Sequence, residues 1–193
     1  VKYLKTKLKE DWTVIEAGAN LGYYAFMEAK IVDKVYAIEP VKRNIDALRY
    51  GIKLNGFKNI KTYRLAVGDK NTKGSIKKSK MSNINTLANI DTFRDNHKNW
   101  YSLHGDGEQD IDIITIDTFV EREKIDKVNL IRMDVEGYES EVILGMQKTL
   151  WSMPSDSYIF IEFHPVFFED ISKMLYAAGT ILKCGFKIDK MFS

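Results

Sequence analysis

Six residues that can carry charge stand where an apolar, strand-like run gives way to a loop: Glu16, Glu39, Asp134, Glu136, Glu162 and His164. Glu16 follows Val14-Ile15 and precedes a loop with two glycines, Gly18 and Gly22, around Asn20. Glu39 follows Val35-Tyr36-Ala37-Ile38 and comes about 20 residues after Gly18. At that separation an acid beyond a second strand accepts ribose hydroxyls from a nucleoside held over a glycine loop. Asp134 and Glu136 flank Val135 after a later apolar run, and Glu162 and His164 flank Phe163 after another. Carboxylates and an imidazole so placed can take a proton from a hydroxyl, a contribution of about 10² to 10⁴ in rate.

The loop chemistry narrows the cofactor. A dinucleotide site needs glycine at three positions, which here fall on Gly18, Asn20 and Tyr23, so two of the three are wrong. No Gly-Lys-Ser or Gly-Lys-Thr follows the glycines, which excludes a P-loop. Glu16 stands where a pyrophosphate would lie. Like charges about 4 Å apart, at an effective dielectric near 20, cost roughly 4 kcal/mol. S-adenosylmethionine instead carries an ammonium and a sulfonium, which Glu16 and Asp134 would attract. Glu39 would accept the ribose hydroxyls, and Asp69, after a third strand, the adenine amino group. The expected cofactor set is therefore Glu16, Gly18, Asn20, Gly22, Glu39, Pro40, Val67, Asp69 and Asp134.

Each residue also has a plainer reading. Glu16 can be a buried acid bonded to backbone amides, Glu39 a solvated strand end, Gly18 and Gly22 turn residues, and Asp69 a turn acid before Lys70-Asn71. Glu136 in the first turn of a helix is favoured by the helix dipole without any catalytic role. His164 can cap the chain ahead of Pro165, and Asp117 reads as a helix cap.

The elements that position these residues alternate. Thr13–Ala17, Val35–Glu39, Ile60–Leu65, Val128–Val135 and Tyr158–Phe163 read as buried strands. Leu21, Ala25, Ala29 and Val32, then Val41, Ile45, Leu48 and Ile52, fall at helical spacing, the second series stopped by Asn55-Gly56. Val142, Met146 and Leu150 line another helix, and Ile171, Met174, Leu175, Ala178 and Leu182 a last one, before a strand over Phe186–Phe192. The expected fold is α/β, a doubly wound, mostly parallel sheet with helices on both faces and a ligand crevice beyond the strand carboxyl ends. The polar stretch at about 71–110 breaks the rhythm, framed by short strands near Gly74–Lys78 and Ile111–Ile116. It is the expected acceptor-side lid, with Phe93, Trp100 and Tyr101 available to stack on a ring.

At 193 residues the chain suits one domain, and 45% hydrophobic with 29% charged residues is an ordinary soluble composition. A net charge of +2 weighs against a dedicated nucleic-acid binder. The single cysteine, Cys184, rules out an intrachain disulfide and a cysteine metal cluster. His97 and His104 read as surface residues, so no metal site is expected. No apolar run reaches about 18 residues and no signal pattern opens the chain, so no membrane span and a cytoplasmic location are expected.

Taken in order, Glu16-Ala-Gly-Ala-Asn-Leu-Gly-Tyr-Tyr24, Tyr36-Ala-Ile-Glu-Pro40, Leu65-Ala-Val-Gly-Asp69, Thr115-Ile-Asp-Thr-Phe119, Met133-Asp-Val-Glu-Gly-Tyr-Glu139 and Ile161-Glu-Phe-His-Pro165 resemble the FkbM family of S-adenosylmethionine-dependent methyltransferases. The resemblance runs from about Val14 to Pro165. It implies a class I methyltransferase (Rossmann-like) sheet and methyl transfer to a hydroxyl of a sugar, polyketide or other small acceptor. The family's first motif usually begins with Asp, and Glu16 is one methylene longer. The resemblance also implies a final antiparallel edge strand after Phe192, which is missing from this sequence. A sugar hydroxyl is a poor nucleophile, so Glu136 and His164 are the candidate bases, with Glu162 holding the imidazole tautomer and Asp134 facing the methionine end. Three other readings use the same fold: an RNA methyltransferase, which needs a continuous basic surface; a nicotinamide dehydrogenase, disfavoured by Asn20 and Glu16; and a non-catalytic protein that keeps the cofactor pocket.

Overall fold

The computed structural model describes residues 1–81, 85–87, 104–164 and 171–191. Phe93, His97, Trp100, Tyr101, Pro165 and Phe192 lie outside these residues.

Five parallel strands form the main sheet: β1 (Thr13–Ala17), β2 (Lys34–Ile38), β3 (Ile60–Tyr63), β7 (Leu130–Met133) and β8 (Tyr158–Ile161), in the order β3-β2-β1-β7-β8. The chain winds outward from β1 to β3, then returns to β7 on the other side of β1. The topological switch therefore falls between β1 and β7. A smaller sheet has the order β4-β6-β5, from β4 (Ala66–Val67), β5 (Thr72–Ser79) and β6 (Gly105–Ile114). Its long β5–β6 pairing is antiparallel. The frame expected around the polar stretch is thus a longer hairpin than Gly74–Lys78 and Ile111–Ile116.

Alternation along the strands divides the core. Ile15 and Ala17 of β1, with Ile131 and Met133 of β7, pack on one face against Phe119, Val142, Ile143 and Leu150. Val14, Val35 and Leu130 pack on the other against Trp12, Ala25 and Leu48. The helices are α1 (Lys2–Lys5), α2 (Tyr23–Glu28), α3 (Lys42–Asn55), α4 (Ile116–Arg122), α5 (Glu139–Leu144), α6 (Gln147–Ser152) and α7 (Ile171–Lys183). Gly56, at φ 71°, stops α3 as expected. None of the described helices is long and apolar enough to cross a membrane.

Three expectations are corrected. The helix through Val142, Met146 and Leu150 is two helices, because Gly145 lies against the backbone of Gly68, where a Cβ would overlap the Gly68 carbonyl oxygen. Thr115 caps α4, its hydroxyl accepting from Thr118 N (3.0 Å), while Asp117 caps α6 instead, accepting from Lys148 N (3.0 Å) and Thr149 N (2.8 Å). The described part of 186–192 forms no strand. Its Asp189 is tied by side chain to Tyr3 and to Lys7 (2.9 Å) of the N-terminal segment.

Candidate active site

A cleft opens at the carboxyl ends of β1, β2 and β7, with about 590 Å³ of empty space when the open solvent at its mouth is included. Gly18, Asn20, Glu39, Pro40, Val67, Asp134 and Glu136, all singled out by sequence, line it. Gly18 has φ 82°, and a Cβ there would overlap the Asp134 carbonyl oxygen, so the first loop crosses β7 where only glycine fits. Asn20 is also left-handed (φ 49°), and its N–H donates to Glu39 Oε2 at 2.9 Å. Glu39 Oε1 accepts from Val41 N (2.9 Å) and Asn44 Nδ2 (3.2 Å). Burial pushes the Glu39 carboxyl up to about 7, against the pull of these three donors.

Three members of the expected cofactor set lie elsewhere. Glu16 is 1% exposed and absent from the cleft wall. It shares the Val14 side of β1, and strand register sets it directly opposite Arg132 of β7, to which its Oε1 is ion-paired. Arg132 also stacks on Tyr24, 3.5 Å from the ring centroid. Burial raises the Glu16 carboxyl, with Arg132 opposing. Burial and the charge of Glu16 raise neighbouring Glu28 well above the carboxylate range. The charge expected to face a cofactor is therefore neutralised inside the sheet. A charge inside the run Leu130-Ile-Arg-Met133 was the sequence signal for a buried partner. Gly22, at φ 95°, turns the chain into α2 beneath Leu48 and Phe26, and Asp69 is exposed and does not line the cleft.

The strand-end residues do converge. His164 Nε2 lies 3.7 Å from Asp134 Oδ1, 3.6 Å from Glu136 Oε2 and 3.9 Å from Glu162 Oε1. The imidazole is oriented by Glu139 rather than by Glu162: Nδ1 is 2.8 Å from Glu139 Oε1, while the Glu162 side chain is 60% exposed. Glu139 is fully buried, and its Oε1 also accepts from Gly137 N (3.0 Å). Burial disfavours charged His164, but the bond to Glu139 and the charges of Glu136, Glu139 and Asp134 outweigh it and raise the group to about 9. These contacts move His164 up from the ordinary imidazole range near neutrality that suits a general base. Burial lifts Glu136 to about 7, with His164 opposing. Glu136 has φ 52°, and its carbonyl accepts from the hydroxyl of buried Thr86 at 2.6 Å.

Sequence reasoning did not single out Arg132 or Thr86 for the site, nor Ile76, Asn85 and Leu87, which line the cleft from the small sheet and the segment after it; Tyr138 and Glu139 close the Met133–Glu139 motif but were given no role there. Thr86, Asn85 and Leu87 sit in a polar stretch without periodicity, so nothing local marks them. Asp134, Glu136 and His164 each present a donor atom within 4.8 Å of the others, a spacing that could hold a metal ion.

Known proteins resemble this chain in sequence or in fold. Over 79 residues, 40% of this chain, it is 33% identical to the hexuronic acid methyltransferase AglP of Haloferax volcanii, spanning 32% of that protein. The methyltransferase FkbM of Methylobacillus flagellatus superimposes with a TM-score of 0.61 at 16% identity, over 92% of this chain and 38% of that one. SMU.1697c of Streptococcus mutans, solved in complex with SAH, superimposes with a TM-score of 0.54 at 12% identity, over 94% of this chain and 77% of that one. The chain thus spans about a third of the length of AglP and of the Methylobacillus protein. The two solved structures establish the class I methyltransferase fold. With the model of the FkbM methyltransferase domain matching residues 16–188, the chain belongs to the FkbM methyltransferase family.

Proposed function

We propose that this domain transfers a methyl group from S-adenosylmethionine to a hydroxyl oxygen of a small, sugar-like acceptor. The observation that carries the reading is the cleft itself: Glu39 at the end of β2, the Gly18–Asn20 loop at the end of β1 and Asp134 after β7 all line it, with Asn20 N–H bonded to Glu39. Asn20 Oδ1 is buried with no partner among the described residues, an acceptor suited to a ligand rich in N–H and O–H donors. When bound, the donor supplies a methyl carbon already activated by a sulfonium. The protein's residues then have to hold the acceptor oxygen in line and manage its proton. Glu39 would take the ribose hydroxyls, Ile38, Leu65 and Val67 the adenine, and Asp134 would set a negative potential for the cationic end. Glu136 lines the cleft and is the nearer of the base candidates; His164 and Glu162 reach it through Glu136 and Asp134. The hexuronic acid acceptor of AglP and the SAH bound to SMU.1697c support this choice of acceptor and donor classes.

Calorimetry tests the reading. Glu39→Ala and Asp134→Ala should each weaken S-adenosylmethionine binding by about tenfold or more, the loss of one to two charge-assisted hydrogen bonds. Unchanged affinity in both variants would remove the cofactor assignment.

A further inference from the structure

The strand-end cluster has a second use. Asp134 and Glu136 follow β7, His164 follows β8, and the 3.6 and 3.7 Å separations from His164 Nε2 are too long for hydrogen bonds. They suit groups gathered around a common centre, since two ligands each about 2.1 Å from one cation lie roughly 3–4 Å apart. Asp134 Oδ2 is engaged by Arg132 at 3.3 Å. Its Oδ1, on the His164 side, is shielded from solvent and accepts no hydrogen bond among the described residues. Beneath the imidazole lies Glu139, 0% exposed, with Oε1 on His164 Nδ1 and Oε2 buried without a partner. A carboxylate on the far nitrogen of an imidazole fixes its tautomer and turns the near nitrogen outward, the arrangement metal-ligating histidines almost always have.

We propose that Asp134, Glu136 and His164 form a divalent-cation site in the wall of the cleft, oriented by Glu139. Two carboxylates and one neutral imidazole balance a 2+ ion. The mixed oxygen and nitrogen set suits Mn²⁺ better than Ca²⁺, which takes oxygen alone. Asp134 and Glu136 both line the cleft, so an acceptor hydroxyl can complete the coordination shell. Bound there, it ionises more readily. Its O–H bond breaks and the proton passes to bulk water at the open mouth of the cleft. The oxygen then forms its bond to the methyl carbon as the carbon–sulfur bond breaks and its electron pair stays on sulfur. This last step rests on the transferase reading; the cation site does not.

Mn²⁺ titration of the purified chain, with no donor or acceptor present, tests the site by electron paramagnetic resonance. One saturable Mn²⁺ per chain is expected, with spin-echo modulation from a directly bound imidazole nitrogen. His164→Ala should abolish the modulation, and Glu136→Gln and Glu139→Gln should weaken binding about tenfold or more while melting as wild type. Absence of saturable binding by the wild type, binding without nitrogen modulation, or modulation that persists in His164→Ala overturns the proposal, and the wild-type measurement decides even where a variant does not fold. S-adenosylhomocysteine titration with chelator present separates the two readings: donor binding without Mn²⁺ binding defeats the cation site alone, and Mn²⁺ binding without donor binding defeats the cofactor reading alone.

Discussion

Glu39 is 4% exposed, bonded on both oxygens, and pushed by burial up to about 7 from an ordinary 4.5. Because the folded protein favours its protonated form, its stabilising contribution is full below about 4.5 and is lost as pH rises through about 7. Ribose hydroxyls need the charged form, so donor affinity runs the other way. It should climb between pH 6 and 8, by up to about tenfold per unit below the Glu39 value. Calorimetry with S-adenosylhomocysteine should show that climb in the wild type and a flatter profile in Glu39→Gln; equal slopes in both would take Glu39 out of the ribose site. The acid itself was legible from its place after Val35–Ile38. Its three protein donors were not, because they come from loop geometry at Asn20 and from Asn44, one helical turn into α3.

Elements behave similarly. The 3.6-residue period correctly marked Val142, Met146 and Leu150 as one buried face, since two short helices in near continuation keep the same face. The break at Gly145 is tertiary, caused by the Gly68 backbone, and no local propensity announces it. Asp117 was read as a cap of the short helix around Phe119, but Thr115 caps that helix, and Asp117 accepts from the amides of a helix 30 residues further along the chain. Asp117→Ala should lower stability by about 1 kcal/mol in urea unfolding and leave donor affinity unchanged, as expected for an N-cap remote from the cleft. A wild-type unfolding midpoint would show that those amides find other partners. Over its described residues, the strand expected at Phe186–Phe192 does not form, for a related reason. Aromatic and β-branched residues mark pleated surfaces only where a neighbouring strand is available, and here Asp189 is held by side chains instead.

At the scale of the molecule, strand order decides what the site can be. Placing β7 beside β1 brings Asp134 against Gly18 and pairs Arg132 with Glu16, so one register builds the cleft and also buries an ion pair behind it. The αβ rhythm and the strand-end acids were enough to foresee the crevice. The neutralisation of Glu16 needed the register, which alternation within one strand cannot supply. Arg132→Met leaves Glu16 buried beside Glu28 with no counter-charge, and should cost about 3–5 kcal/mol in urea unfolding, the penalty for breaking rather than replacing a buried pair. A loss under about 1 kcal/mol would mean the two acids share their protons without the guanidinium. The most direct test of the whole account is a crystal structure grown with S-adenosylhomocysteine. The account predicts its ribose on Glu39 and its methionine end toward Asp134, over the Gly18 turn. A ligand bound away from that turn, or a diphosphate accepted against it where S-adenosylhomocysteine is not, would contradict it.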